Sequence, residues 1–531
     1  MSVSEKRSIG TDAIDAVASS NTTSSTTTLE QGIDPDTEDV KVHNLDIEAN
    51  GASITLAESE KLPPPTADPN EVDWDGPDDP QNPLNWSVAR RAVIVGMAMS
   101  IVFSTCLAAS AIAPAIPQMM KDFGSDDEEA GTLVVTIEIM GTAVGPLFLA
   151  PLSELRGRRI VYNLANLGFC AFTIGCALSP TFGGLIALRF LQGAAASCSI
   201  NNGGGTIADI VPPHRRGAVM STFSMAFMLG PVVGPIVGSY LAAAAGWRWV
   251  FWLLLTFTGT LGIINAIFTK ETYAPVLLER KAKRLQKETG NTALYAKGQR
   301  QLPFPELMKR SFSRPIRMLL FCPLITGLSW YIAFIYGVCY LLFSTFSRVF
   351  EQQYHYEPAN LGLAYLGLAV GMLISLLIAG FVSDQTYVFL TKKHGEEKPE
   401  YRLRGLLYGI IAIPIGLVMY GWTAEKKVHS AVPIIATAFI GFGNMFTFHP
   451  TQTYMIDAYT KYASSAIAAS SVLRSLAGAL LPLAGIPMYD RLGLGWGNTL
   501  LAFLSLGMGI FPIVFNKYGE VIRKKYSIEL D

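Results

Sequence analysis

Charged residues are scarce in this chain. Only 16% of its 531 residues are Asp, Glu, Lys or Arg, against about 25% in soluble domains. The formal net charge is −1, so bulk charge gives no basis for binding nucleic acid. Half of the residues are hydrophobic. So many hydrophobic and so few charged residues predict that the apolar side chains face an apolar environment other than the core of a soluble domain.

The chain also lacks the residue patterns of a disulfide framework, a metal centre or a catalytic site. Its six cysteines all fall inside apolar runs: Cys106, Cys170, Cys176, Cys198, Cys322 and Cys339. None is spaced from His or Asp as metal ligands are, so we interpret them as small buried hydrophobic residues. The six histidines are scattered along the sequence. We therefore expect no metal, no cofactor and no enzymatic activity.

What the chain does have is a dozen apolar runs. A bilayer core about 30 Å thick needs ~20 residues of helix to cross it, and in lipid such runs span as helices. The predicted spans lie near 92–115, 131–153, 160–178, 183–208, 218–242, 249–269, 318–345, 360–383, 404–422, 431–456, 463–488 and 494–516. The predicted fold class is an all-α integral membrane protein of twelve transmembrane helices in two six-helix bundles related by pseudo-symmetry.

The polar segments set the domain plan. Residues 1–85 are Ser/Thr-rich, then acidic and Pro-rich, and such a composition predicts a disordered cytosolic tail. We expect the first bundle at 86–270, a cytosolic linker at 271–314, the second bundle at 315–517 and a cytosolic tail at 518–531. No apolar run of signal-peptide length precedes the first span, so that span would act as the targeting signal.

Basic residues gather at alternate ends of the predicted spans. They include Arg90, Arg91, Arg156, Arg158, Arg159, Arg215, Lys281, Lys283, Lys392, Lys393, Arg523 and Lys524. The opposite loops are poor in Lys and Arg, and the first of them, 122–129, is acidic. The positive-inside rule then predicts that both termini are cytosolic. We expect a multi-pass protein of the plasma membrane, with the vacuolar membrane as the alternative.

Two acidic positions repeat between the halves. The second span ends at Ser153-Glu154 and the eighth at Ser383-Asp384, while Asp209 and Asp457 close the fourth and tenth spans. Each pair is six spans apart, which predicts a parallel repeat about an axis along the membrane normal. We take Glu154, Asp384 and Asp457 as candidates for conformational gating, and Asp209 as a candidate for proton coupling.

Arg189 and Glu138 are the most informative charges. An Arg well inside a span costs about 2.5–3.5 kcal/mol on insertion scales, so it must face a cavity or a partner. Glu138 lies at a similar depth in the second span, roughly 9–11 Å below the outer surface at ~1.5 Å per residue, which makes a contact possible. We predict a proton-coupling pair. The alternatives are a static structural ion pair and an Arg that reaches the outer interface.

Polar and aromatic side chains also interrupt other spans. We expect them to line a substrate cavity: Gln192, Asn202, Trp330, Tyr331, Phe334, Asn444, Phe446, His449 and Arg474. Aromatic residues in membrane helices also serve in packing and interface belts. Arg474, near mid-membrane in the eleventh span, has three possible roles: pairing with Glu138, binding backbone carbonyls, or packing.

The fifth span carries a stripe of small residues. Gly230, Gly234 and Gly238 recur every four residues, which places them on one helix face and allows another helix to approach closely. Pro231 and Pro235 remove backbone hydrogen bonds and favour a bend. We predict that this stripe is a gating interface.

Together these motifs resemble the major facilitator superfamily, specifically the fungal 12-span drug:proton antiporters of the multidrug and polyamine branch. The resemblance is carried by Gly157-Arg158-Arg159, Arg189-Phe-Leu-Gln-Gly193, Gly230 to Gly238, Glu271-Thr-Tyr-Ala-Pro275 and Pro399-Glu-Tyr-Arg-Leu403. It implies a gating role for the turn at Gly157, Arg158 and Arg159, and proton coupling at Arg189. Ala150, Glu154 and Leu155 depart from the general superfamily pattern of Gly, Asp and Arg.

The expected function is proton-coupled efflux of hydrophobic small molecules, such as a drug, toxin or secondary metabolite, by alternating access. The proton gradient would be the energy source, and the partners would be the bilayer, protons and the substrate. We expect the chain to act as a monomer. One alternative is uptake or facilitated transport of a small polar solute or organic acid, and another is a transporter-like nutrient sensor.

Overall fold

A computed structural model describes residues 68, 70–125, 127–298, 304–459 and 463–526. The expectation of disorder over residues 1–67 lies outside this part of the chain, as do Lys461 and the last five residues. The described chain is almost entirely helical, and its only strands are two of two residues each.

Seven helices form the first bundle. They are α1 Val88–Ala111, α2 Ile116–Phe123, α3 Glu128–Arg156, α4 Arg158–Leu178, α5 Phe182–Ile210, α6 Pro213–Ala245 and α7 Arg248–Phe268. A 3-10 turn at Ala113–Ala115 joins α1 to α2, and the two helices make one span. Asp127 caps α3 by accepting from the backbone N–H groups of Glu129 and Ala130, as N-cap residues do.

The linker is folded onto the segment that precedes α1. Helix α8, Ala274–Thr289, follows α7, and β2, Tyr295–Ala296, pairs in parallel with β1, Glu71–Val72. Val72, Leu278, Ala282 and Ala296 form a small buried cluster there. We name residues 70–86 the N-terminal clasp.

The clasp is held by a buried lysine. The Nζ of Lys281 donates to the carbonyl of Asp73 at 2.9 Å and to Asp75 Oδ1 at 2.6 Å, and lies 3.7 Å from Asp79 Oδ2. Lys281 itself is only 6% exposed. The expectation of disorder was therefore wrong for residues 70–85, because their acidic side chains are matched by a linker lysine that composition alone does not pair with them.

The second bundle contains the remaining helices. They are α9 Phe304–Phe321, α10 Pro323–Tyr354, α11 Leu366–His394, α12 Leu406–Glu425, α13 Ala431–Ala458, α14 Ala463–Leu480, α15 Gly485–Met508 and α16 Ile510–Lys525. Short 3-10 segments at Pro358–Tyr365 and Pro399–Gly405 lead into α11 and α12. The seventh span was expected at 318–345, but it begins at Pro323 because a proline disfavours helical backbone at the residue before it, and Cys322 is extended.

Within the described residues, eleven stretches are long and apolar enough to cross a membrane. The last of them, Ser465–Lys525, has 61 residues and at ~1.5 Å per residue would exceed a bilayer two- to threefold. Gly493, at φ 74°, breaks α15 inside this stretch, which divides it into two spans. The total is therefore the twelve spans that the hydrophobic pattern predicts.

The two bundles repeat the same packing. Helix α3 packs closely on α5, and α11, six spans later, packs closely on α13. In both pairs a glycine meets a backbone carbonyl: Gly193 faces that of Glu138, and Gly371 faces that of Ala438. We call the end of the molecule near Gly157 and α8 the linker end, and the opposite end, near α2, the far end.

Candidate functional site

A fully buried ion pair lies in the first bundle. Arg189 Nη2 is 2.6 Å from Glu138 Oε2, and the two side chains are 0% and 1% exposed. The contact between Arg189 and Glu138, which their similar depth in the membrane made possible, is therefore present. Within the described part of the chain, Oε1 of Glu138 has no hydrogen-bond partner, so the carboxyl group keeps an oxygen on which a proton can reside.

The arginine is fixed by three other helices. Its Nε donates to the carbonyl of Val134 at 3.1 Å, and its Nη1 donates to the carbonyl of Ala108 at 3.3 Å and to Gln192 Oε1 at 2.9 Å. Gln192 in turn donates to Thr173 at 2.7 Å. Arg189 thus joins α1, α3 and α5 directly and α4 through Gln192. Movement of these helices relative to one another therefore changes the hydrogen bonds of the arginine.

Close backbone packing brings the pair together. A Cβ at Gly193 would lie 1.9 Å from the carbonyl oxygen of Glu138, and one at Gly141 would lie 2.2 Å from that of Phe190. Only glycine permits this separation of α3 and α5. The same glycines therefore set the distance between the charges.

A second network lies at the linker end of the first bundle. Arg158 Nε is 3.3 Å from Asp209 Oδ2, and Arg158 Nη1 donates to Ser153 Oγ at 2.9 Å and to Asn202 Oδ1 at 3.5 Å. Asn202, expected in a substrate cavity, is buried in this network. Glu154 lies in the last turn of α3, two residues before the helix ends at Arg156.

Glu271 completes that network, and sequence reasoning did not single it out as a site residue. Its carboxylate accepts from the backbone N–H groups of Arg158 at 2.8 Å and Arg159 at 3.2 Å, the first two residues of α4, where a negative charge is favoured by the helix dipole. Gly157 has φ 95°, and a Cβ there would lie 2.2 Å from Glu271. The glycine is required both by its backbone angle and by this contact.

The second bundle carries the equivalent network. Arg402 donates to Asp384 Oδ1 at 2.9 Å and is hydrogen-bonded to Asp457, while its guanidinium lies over the ring of Tyr387. Arg402 was named in a motif but not as a site residue, although it occupies the place that Arg158 has in the first bundle. The sequence repeat of acidic positions indicated this site.

At the far end an arginine joins the two bundles. Arg348 of α10 is 3.0 Å from Glu128 of α3 and 3.1 Å from Asp490 of its own bundle. We name these three residues the far-end latch. Ser347 Oγ also donates to the carbonyl of Ala113 across the bundles at 3.5 Å. A cavity of about 530 Å³ opens beside the latch, lined by residues that include Met120, Thr132 and Ser344.

Arg474 lies between the bundles. Its guanidinium carbon is 4.8 Å from the ring centre of Tyr336 and 5.0 Å from that of Phe448. Glu138 is engaged with Arg189 instead, and in the part of the chain that the structure describes Nε and Nη1 of Arg474 have no hydrogen-bond partner. Of the three roles expected for it, neither pairing with Glu138 nor binding backbone carbonyls is observed.

The other cavity candidates are distributed through the second bundle. Tyr331 is fully buried beside Thr447, and Asn444 donates to the Sγ of Cys339 at 2.8 Å. Phe446 is buried against Tyr408. Phe334 and His449 are partly buried, whereas Trp330 is 49% exposed. Their role in a substrate cavity stays a prediction.

The glycine stripe of α6 faces α1. Cβ atoms at Gly230, Gly234 and Gly238 would lie 2.5, 2.2 and 1.8 Å from atoms of Cys106, Ser110 and Ala111. Pro231 and Pro235 lie within the helix. The close approach that the stripe predicted is therefore made within the first bundle, to α1.

Two six-span bundles with equivalent ion-pair networks, the first of which also holds a fully buried ion pair, are typical of a membrane transporter. Residues 98–482 match the sequence profile of the Major Facilitator Superfamily, and the chain belongs to this family. The expected fold class, family and non-enzymatic nature are confirmed.

Several relatives are transporters by name. The MFS-type transporter penM of Penicillium rubens is 48% identical over 86% of this chain and 90% of its own length. The MFS-type transporter atr4 of Stereocaulon alpinum is 45% identical over 91% of this chain and 88% of its own. The efflux pump radE of Floropilus chiversii is 43% identical over 87% of each chain.

The fold is shared with a solved bacterial transporter. A structure entitled as the partially occluded inward open conformation of the xylose transporter XylE from E. coli superposes with a TM-score of 0.58. It covers 80% of this chain and 97% of that one at 16% identity. At this identity the likeness concerns the fold alone.

Proposed function

We propose that this chain exports a hydrophobic small molecule from the cytosol in exchange for protons, by alternating access across the plasma membrane with both termini in the cytosol. The observation that carries the proposal is the buried pair of Arg189 and Glu138. A carboxylate that is withdrawn from water, paired with one cation and left with a free oxygen can gain a proton when the cavity opens to the acidic side. The name of the efflux pump relative supports the direction of transport.

The ion pairs support alternation between two states. The far-end latch connects the bundles through Arg348 and Glu128. At the linker end, the networks of Arg158 and of Arg402 each lie within one bundle. This is the arrangement of a transporter that is held closed at its far end, and the latch must break when the bundles rock to open that side.

The energetics are sufficient for uphill export. One charge that crosses 100 mV contributes about 2.3 kcal/mol, and one pH unit contributes about 1.4 kcal/mol. Exchange of one proton for a neutral substrate can therefore sustain a gradient of several hundredfold.

Transport by the reconstituted chain tests the proposal. The probe is 2-naphthylacetamide, a hydrophobic and uncharged molecule. Its movement across the membrane of proteoliposomes is measured with and without an imposed pH gradient. We expect uphill movement of the probe opposite to the proton gradient for the wild type, and only downhill movement for Glu138→Gln. Movement of the probe in the same direction as protons would favour the uptake alternative and contradict the proposal.

A further inference from the structure

Arg474 is a buried cation at the interface of the two bundles. It lies eleven residues after the start of α14 at Ala463, roughly 16 Å into the span at ~1.5 Å per residue. One turn later, a Cβ at Gly478 would touch both Tyr336 of the second bundle and Ile139 of the first. This part of α14 therefore faces the space in which the bundles meet.

Among the described residues, no carboxylate forms an ion pair with this arginine. Glu138, the acid on the neighbouring helix α3, is held at 2.6 Å by Arg189. A Cβ at Gly478, one turn after Arg474, would lie 3.5 Å from Ile139, the residue next to Glu138, so the two charges lie on helices that pack against each other. With Glu138 and Arg189 neutralising each other, the three groups together have a charge of +1.

The surroundings of Arg474 combine free hydrogen-bond donors with aromatic surface. The residue is 9% exposed, and Nε and Nη1 have no hydrogen-bond partner within the described residues. A buried, unpartnered donor is costly, and Arg presents a planar set of donors that suits carboxylate geometry. The rings of Tyr336 and Phe448 lie on the guanidinium and supply apolar surface beside it.

We infer that Arg474 binds the acidic group of the transported molecule, and that the substrate class is a hydrophobic organic anion, such as a carboxylate or an ionised enol or phenol. The inference rests on the proposed function, because it names the cargo of the same central site. The anionic group bonds to the free N–H donors, and the apolar body of the substrate packs on Tyr336 and Phe448. A polyamine or other cation is repelled by the same charge.

The membrane potential favours this cargo. An inside-negative potential expels an anion, with about 2.3 kcal/mol for each charge that crosses 100 mV. An exporter of organic anions therefore gains driving force that an exporter of cations does not.

A set of three probes of matched shape tests the inference. They are 2-naphthylacetate, which is ionised at pH 7 as carboxylic acids are, its neutral amide 2-naphthylacetamide, and the cation 2-(2-naphthyl)ethylamine. Affinities are measured at pH 7.5 with the full chain in nanodiscs, for the wild type, Arg474→Gln and Arg474→Lys. Arg491→Gln, which removes an exposed charge at the far end, is the control, and melting temperatures report on folding.

We expect the wild type to bind the acid most tightly and the amine least. Arg474→Gln should weaken binding of the acid about tenfold or more, the size expected for a charge-assisted hydrogen bond, while binding of the amide stays within twofold. Arg474→Lys should retain part of the preference for the acid, and Arg491→Gln should behave as the wild type.

Three results would overturn the inference: no detectable binding of the acid, binding of the amine as tight as that of the acid, or an equal loss for acid and amide in Arg474→Gln, which is what a packing role predicts. These three results concern the choice of substrate and leave proton-driven movement of the neutral amide unaffected. The proposed function is contradicted by a different result, the absence of that movement.

Discussion

Arg189 and Glu138 form a 2.6 Å ion pair between α5 and α3 from which solvent is excluded. Because Arg189 also binds backbone carbonyls of α1 and α3, a change in the protonation of Glu138 alters a contact that several helices share. In the proposed function, the pair links a proton to the geometry of the first bundle.

Removal of the arginine should stop coupled transport. Arg189→Ala leaves Glu138 buried without its cation, and breaking a buried pair costs about 3–5 kcal/mol. We expect lower expression and no proton-driven efflux from the protein that reaches the membrane. The measurement is cellular accumulation of the naphthyl amide, normalised to surface protein, and wild-type efflux per molecule in this variant would contradict the account.

The glycine stripe should not tolerate a large side chain. Gly234→Leu would force the side chain into Ser110 and the backbone of α1, so we expect transport to fall at least tenfold because α1 and α6 can no longer approach. Gly96→Leu is the matched control, since a Cβ at Gly96 meets no atom within 4 Å. Equal transport rates for the two variants would show that the stripe has no role in alternation.

Loss of the far-end latch should open that side of the transporter. Glu128→Gln removes the ion pair between the bundles, whereas Asp490→Asn removes one within the second bundle. Partly exposed pairs contribute about 0.2–1 kcal/mol, which corresponds to an increase of up to about fivefold in the open state. The measurement is labelling of Ser344→Cys, beside the cavity, by a membrane-impermeant thiol reagent. More labelling with Asp490→Asn than with Glu128→Gln would contradict the role of the pair of Arg348 and Glu128 in keeping the far end closed.

The N-terminal clasp should depend on Lys281. Lys281→Met leaves the acidic groups of Asp75 and Asp79 without their cation, so residues 70–86 should lose protection from hydrogen exchange. Lys283→Met, which removes only an exposed pair with Glu279, is the control and should leave protection unchanged. Protection that persists in Lys281→Met would show that the small apolar cluster alone holds the clasp.

The clasp should also be insensitive to pH near neutrality. Hydrogen bonds from the backbone N–H groups of Asp75 and Gln81 lower the pKa of Asp79 below its usual value. A carboxyl whose pKa is lowered on folding stabilises the fold above its unfolded pKa of about 4 and loses that contribution only as the pH falls through the lower folded value. Protection of residues 70–86 should therefore be constant from about pH 5 to 8, and a loss within that range would contradict this role of Asp79.

Hydrophobic length, charge distribution and repeat spacing were sufficient to predict the spans and the two-bundle plan, because the bilayer imposes a fixed helix length. The contact between Glu138 and Arg189 was anticipated from depth alone, since two charges at one level of a bundle have few other partners. The glycine stripe was recognised for the same kind of reason: small residues at helical spacing permit close packing.

The residues that were missed interact over long sequence distances. Glu271 binds the start of α4 more than a hundred positions earlier, and Lys281 binds Asp75 across 206 positions. Neither contact has a local periodicity that a single sequence displays. Arg348 was missed because an arginine near the end of a span is ordinarily interpreted as an interface residue.

The most direct test of proton coupling is the affinity for 2-naphthylacetamide in nanodiscs from about pH 5 to 8, compared for wild type and Glu138→Gln. The probe does not titrate in this range, so any pH dependence belongs to the protein. The glutamine keeps the shape of a protonated glutamate but cannot release a proton. We predict an affinity that changes with pH for the wild type and is constant for Glu138→Gln. The same pH profile in both proteins would contradict the account and make Glu138 a structural residue, with Asp209 and Asp457 as the next candidates.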